Sequence, residues 1–169
     1  DYLAKPDKGT ASELISRAID DNVDLIGKRE NYVSYIAKRP RAERHGAHGL
    51  FTDADVPINL SQVAAEVANH DGNVWTHIIS LRREDAARLG YDNAYAWRNL
   101  LRSQAETIAE NMKIPLTDLK WYAAYHDESY HPHVHMVVYS TGKEPYLTKQ
   151  GICNLKAAFA KQIFRHDLL

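Results

Sequence analysis

The chain has 169 residues, 44% hydrophobic and 25% charged, the make-up of one globular domain long enough to bury a substantial core. Its 21 Lys and Arg nearly balance 22 Asp and Glu, for a net charge of −1, so no global field draws it to nucleic acid and any such binding must come from a local patch. No apolar run approaches the roughly 20 residues of a membrane span, no signal-peptide pattern opens the chain, and a single cysteine, Cys153, excludes an internal disulfide, which together fit a cytoplasmic protein. The start at Asp1, without a methionine, suggests a single domain over residues 1–169 excised from a longer chain.

In chain order, residues 1–10 form a polar lead-in in which Tyr2-Leu3 could end a strand. Thr10 or Ser12 then caps an expected helix through Ala18, with Leu14, Ile15 and Ala18 on one face. A second helix is expected from about Glu30 to Lys38, stopping before Pro40 because the residue preceding proline disfavours α geometry. It carries Tyr32 and Tyr35, three apart and so neighbours on one face, and leads into the basic stretch Lys38, Arg39, Arg41 and Arg44. Asn59 or Ser61 caps a helix through Ala68, and Asn73–Leu81 reads as a central strand ending at Arg82 and Arg83. A short helix over Glu84–Leu89 stops at Gly90. A long amphipathic helix follows over Asn93–Met112, and a last one over Lys149–Phe164. The implied architecture is α+β, a small antiparallel sheet with helices packed mainly on one face.

Between those two helices lies the densest run of chemistry in the chain. Four of the nine histidines fall within ten positions, at His126, His131, His133 and His135. Lys120–His126 and the stretch from His133 through Tyr139 both read as strands, with Asp127–Tyr130 as the turn between them. Alternating strand geometry puts His133 and His135 on one face about 7 Å apart at their Cα atoms, with His131 on the same side. A hairpin with its loop over Asp127–Pro132 sets His126 opposite His133, so three imidazoles converge. Three nitrogen ligands with open positions make a catalytic metal site rather than a closed structural one.

The remaining inventory narrows the reaction. The chain has neither the His-Glu-x-x-His helix of a zinc protease nor a Walker loop. It offers helix-borne tyrosines beside a basic stretch. A phenol of pKa about 10 becomes a competent nucleophile when a metal withdraws charge from its target and a nearby group accepts its proton. Arginines hold non-bridging phosphate oxygens. Metal, tyrosine and arginine together describe transesterification of a phosphodiester.

His126-Asp127-Glu128-Ser129-Tyr130-His131-Pro132-His133-Val134-His135 resembles the three-histidine motif of the plasmid-mobilisation (Mob) relaxases of the HUH endonuclease superfamily, with His131 where that family commonly has Asn. Tyr32–Pro40 running on to His48-Gly49-Leu50-Phe51 resembles the nucleophile region of one branch, and Val74–Leu81 and the Trp97 helix are also similar, so the resemblance covers most of residues 30–140. It departs at the tyrosine, which has about 30 residues before it instead of a short lead-in, and two tyrosines qualify. The resemblance implies a sheet of about five antiparallel strands with helices, and an enzyme that nicks single-stranded DNA at a transfer origin through a 5′-phosphotyrosyl intermediate. It further implies that His126, His133 and His135 hold Mn²⁺ or Mg²⁺ and that Tyr35, with Tyr32 as second choice, attacks. Asp127 or Glu128 would orient a ligand histidine, Lys38, Arg39, Arg41, Arg44 and Arg82 would hold DNA, and Trp75 would stack on a base or be buried. Accessory relaxosome proteins and a coupling protein are the implied partners. The alternatives are a rolling-circle replication initiator, a metal-dependent hydrolase using activated water, and a non-catalytic DNA-binding module with a structural metal.

Overall fold

The computed structural model describes residues 13–19 and 25–167, with backbone only for 25–28 and 30. Four strands form one antiparallel sheet: β1 (Glu13–Ala18), β2 (Trp75–Ser80), β3 (Leu119–His126) and β4 (His133–Ser140), in the order β1-β2-β4-β3. Among the described residues six α-helices surround it: α1 (Leu25–Lys38), α2 (Leu60–Ala68), α3 (Arg83–Leu89), α4 (Ala94–Ser103), α5 (Ala105–Asn111) and α6 (Lys149–Ile163). The α+β class with an antiparallel sheet packed by helices is therefore as the sequence suggests, except that helices cover both faces of the sheet and not mainly one.

The first element is the clearest correction. The expected helix through Ala18 is β1, each residue of which pairs with β2 from Glu13↔Ser80 to Ala18↔Trp75. Leu14, Ile15 and Ala18 fit a helical face, but Leu14, Ser16 and Ala18 fit a strand face equally well, and partnership with β2 decides between them. The caps Thr10 and Ser12 and the Tyr2-Leu3 strand end lie outside the described residues. Two smaller differences follow. α1 begins at Leu25, a turn before Glu30, and the helix expected over Asn93–Met112 is two helices meeting at Gln104. At that joint Ser103 Oγ donates to Leu100 O at 2.7 Å and the Gln104 N–H is shared between Leu100 O and Leu101 O, so a tighter bond is added to the regular ladder where the helices meet. Elsewhere the caps are as read: Asn59 accepts from Gln62 N at 3.1 Å, and Gly90 closes α3 at φ +84°, a conformation that glycine adopts without strain.

The two faces of the sheet bury different cores. Leu14, Ile79, Trp121, Val134, Met136 and Val138 pack against Trp97, Leu101, Ile108, Leu155 and Phe159 of α4, α5 and α6. On the opposite face Tyr122, Ala124, Val137 and Tyr139 meet Val33, Ile36, Val63 and Val67 of α1 and α2. Glu66 of α2 ties this layer down by accepting from the hydroxyls of both Tyr122 and Tyr139. That cover thins toward β1, where Ile15 is 45% exposed. The histidines lie on this second, incompletely covered face.

Four strands, not five, form the sheet among the described residues. The outer edge of β3 is instead taken by the segment 41–52, which touches it twice. Ala42 bridges His126 and Phe51 bridges Ala123, with Glu43 N donating to Tyr125 O and Asp127 N to Arg41 O, both at 2.9 Å. Between the two contacts the chain turns back on itself at the His45↔His48 bridge around Gly46, so it satisfies the edge without running as a strand. Among the described residues no helix is long and apolar enough to cross a membrane.

His77 of β2 faces the larger core, fully buried, with Nδ1 2.7 Å from Ser16 Oγ and Nε2 3.3 Å from Met112 Sδ. Burial pushes its pKa down to about 4. The unfolded chain takes up this proton near pH 6.5 while the folded one does not, so the stability that His77 contributes is complete above 6.5 and is lost as pH falls toward 4. Urea unfolding should show about 2 kcal/mol of pH-dependent loss from this group between pH 6.5 and 5. His77→Gln should lack that component, and an unchanged pH profile in the variant would refute the assignment.

Candidate active site and metal centre

The register of β3 and β4 builds the site. His126 pairs directly with His133, and Ala124, too small to intrude, stands opposite His135. The ring centroids lie 4.6 Å (His126–His135), 4.9 Å (His133–His135) and 5.3 Å (His126–His133) apart, and one ring nitrogen from each lies within 4.8 Å of the others. His131 precedes β4, is exposed, and contributes its carbonyl instead of its ring: His133 Nδ1 is 2.9 Å from His131 O.

Each imidazole has one nitrogen engaged and one left over. His126 Nε2 donates to Ile36 O at 2.8 Å, and its Nδ1 is buried without a partner. That carbonyl is available because of the way α1 ends. Ile36 O would accept from the residue four positions on, but Pro40 has no N–H. The other terminal carbonyls are all taken: Tyr35 O by Arg39 N at 3.0 Å, Ala37 O by Gly49 N at 2.9 Å, and Lys38 O by Arg44 at 3.1 Å. His135 Nδ1 lies 3.0 Å from the Tyr32 hydroxyl. An outer hydrogen bond on one nitrogen fixes the tautomer and presents the other as a ligand.

This donor set fits a divalent ion. A buried imidazole nitrogen with no partner is an uncommon cost in a folded protein, and an ion shared by three neutral nitrogens at mutual ligand spacing would relieve it. Burial, reinforced by the neighbouring His126 and His133, pushes the His135 pKa down to about 3. His126 is likewise lowered, mainly by burial. Both rings are therefore neutral, and hence ligand-competent, at physiological pH.

The two tyrosines occupy different places. Tyr32 sits beside the histidines with its hydroxyl against His135, and its ring meets that imidazole edge-on at 6.1 Å. Burial raises its phenol to about 12, opposed by the charge of Arg17 and a hydrogen bond with Thr76. Tyr35, one turn further on, is 50% exposed, with the Arg39 guanidinium 4.8 Å from its ring centroid.

The carboxylates of the turn do not reach the histidines as hydrogen-bond partners. Asp127 pairs with Arg83 at 2.6 Å, and Glu128 lies 3.7 Å from Arg39. Among the basic residues Lys38 and Arg41 are exposed, Arg44 closes its own loop on Ala47 O and Lys38 O, and Arg82 pairs with Glu84 at 2.6 Å. Trp75 packs against the core on the face away from the histidines.

Three contributors escaped sequence reasoning. Arg83 holds the turn from outside: its guanidinium donates to Asp127, Glu128 O and Ser129 O, and its N–H to Tyr130 O. The Ile36 carbonyl was in principle legible, since Pro40 four residues on advertises an unclaimed acceptor. Arg17 was hidden by the helical reading of β1.

A family model for MobL relaxases matches residues 26–169, which take in α2 to α6, the hairpin and nearly all of α1. Neither a curated protein nor a solved structure matches the chain. With the match spanning the histidine site and most of the fold around it, the chain belongs to the MobL relaxase family.

Proposed function

We propose that this relaxase cuts and rejoins one strand of single-stranded DNA at a transfer origin by tyrosine transesterification, with Tyr32 as the attacking residue. The observation that carries this reading is the Tyr32 hydroxyl 3.0 Å from His135 Nδ1, at the rim of a three-histidine cluster. Tyr35 points to a more exposed surface one turn away and is the weaker candidate. A divalent ion, Mn²⁺ or Mg²⁺, held by His126, His133 and His135, would supply Lewis-acid charge to the scissile phosphate. When the phenol oxygen attacks, the Tyr32 O–P bond forms and the P–O3′ bond breaks. The phenol proton passes to water, and the departing 3′ oxygen takes a proton from water. The ester bond energy stays in the phosphotyrosyl link, so the reverse step reseals the strand.

His135 is held by Tyr32 and His126 by the end of α1, so nucleophile and ligands share one rigid frame. Arg39 borders the site, and with the exposed Lys38 and Arg41, its near neighbours in sequence, it would present cations to the DNA backbone. Glu128 lies against Arg39 and steers that cation more than it steers a histidine. Delivery of the bound strand would involve accessory relaxosome proteins and a coupling protein in the cytoplasm.

Incubation with supercoiled mobilisable plasmid and Mn²⁺, followed by nuclease and protease digestion, should yield a nucleotide-bearing peptide modified at Tyr32. The adduct should vanish in Tyr32→Phe and His133→Ala and persist in Tyr35→Phe. An adduct on Tyr35 would move the nucleophile, and nicking without any adduct would indicate hydrolysis by activated water. Mn²⁺ at a hundred times its dissociation constant should stabilise the protein by about 2.7 kcal/mol. EDTA should reverse this, and His126→Ala should abolish it. A melting curve indifferent to Mn²⁺ would remove the metal centre.

A further inference from the structure

The open face of the sheet holds a second feature, beside the histidines and distinct from them. A cleft of about 570 Å³ runs between β1 and α1, lined by Arg17, Ala18, Ile19, Asn31, Tyr32, Tyr35 and Thr76. Its position follows from register. Arg17 pairs with Thr76, and Thr76 with Val137, two residues beyond His135 on the same face. Strand spacing puts the Arg17 Cα about 12 Å from that of His135, two strands across and one row along. Tyr32 forms the inner end of the cleft, and its hydroxyl reaches the histidine cluster from there.

The lining is chemically specific. Arg17 is exposed and supplies a cation. Asn31 is exposed and supplies an amide that can both donate and accept. The Tyr35 ring is half exposed and is held by the Arg39 guanidinium 4.8 Å from its centroid, which restrains the ring before anything binds. A cation, an amide and a restrained aromatic ring around one cleft are the groups that recognise a phosphate, a base edge and a base face.

We infer that the β1/α1 cleft is a nucleotide subsite for single-stranded DNA, in which Arg17 holds a phosphate near the scissile one and Tyr35 is the platform on which its base stacks. The inference rests on the nicking reading above and gives Tyr35 a positioning role instead of the nucleophile's.

The test uses two fluorescent probes of equal phosphate count, a thymidine 20-mer and an abasic 20-mer, titrated against the 169-residue chain by anisotropy. Arg17→Ala should weaken both probes and lower the salt slope by about 0.7, the share of one phosphate contact on a single strand, while Arg17→Lys keeps the slope. Tyr35→Leu should weaken the thymidine probe by about tenfold, leave the abasic probe unchanged and leave the salt slope intact. Tyr35→Phe, which keeps the ring, should restore the thymidine affinity that Tyr35→Leu loses. Melting temperatures equal to wild type confirm that the exposed substitutions leave the fold in place. If the wild type binds and nicks while Arg17→Ala and Tyr35→Leu match it on both probes, the subsite is wrong and the relaxase mechanism stands. Loss of the protein–DNA adduct in Tyr35→Phe makes Tyr35 the nucleophile and overturns the platform role. If the wild type neither binds the thymidine probe nor nicks plasmid, both readings fall.

Discussion

The constraint on which everything else depends is the pairing register of β3 and β4. Side chains alternate across a strand, so a slip of one residue would carry His133 and His135 to the side of the sheet where Val134 and Met136 now pack, and would scatter the three imidazoles. The register is held from three directions. Inside, the large core accepts Val134, Met136 and Val138 only on one face. Outside the turn, Arg83 clasps the loop that joins the strands. Along the free edge, the 41–52 segment takes up the backbone of β3 at His126 and Ala123. Chemistry here rests on backbone bookkeeping at the rim of a sheet.

α1 is the second member of the frame, and its value lies in its incomplete end. A helix normally leaves its last carbonyls to water or to a cap. Here the four go to four destinations: Arg39 just past the helix, the His126 imidazole, the Gly49 backbone and the Arg44 side chain. Gly49 fits because a side-chain carbon there would lie 2.7 Å from Glu43 O. The proline that stops the helix thus also selects the tautomer of a histidine 86 positions further on, at His126.

Much of this was written plainly in the sequence. The spacing of His126, His133 and His135 contained the hairpin, its facing and the convergence of three imidazoles, because a short turn permits only antiparallel pairing and alternation then dictates which rings meet. Helix ends marked by Asn59, Gly90 and Pro40 were legible for the same reason, each being a local device with local causes. What eluded the sequence depends on partners distant in the chain. Glu13–Ala18 is amphipathic in either geometry, and only β2, about sixty residues away, makes it a strand. Asp127 and Glu128 beside the histidines invited an outer-sphere role, yet arginines from α3 and from the end of α1 engage them first. The choice between Tyr32 and Tyr35 turns on one helical turn of rotation, which spacing alone does not resolve.

β1 enters the sheet only through β2, among the described residues, and has no backbone link to the strands that bear the histidines. The wall that carries Arg17 is therefore anchored separately from the wall that carries the imidazoles. Substitution along β1 can reshape the groove without moving an imidazole, because the disturbance has to cross β2 first. On the subsite we infer, the grip on DNA is mechanically separable from the imidazole cluster.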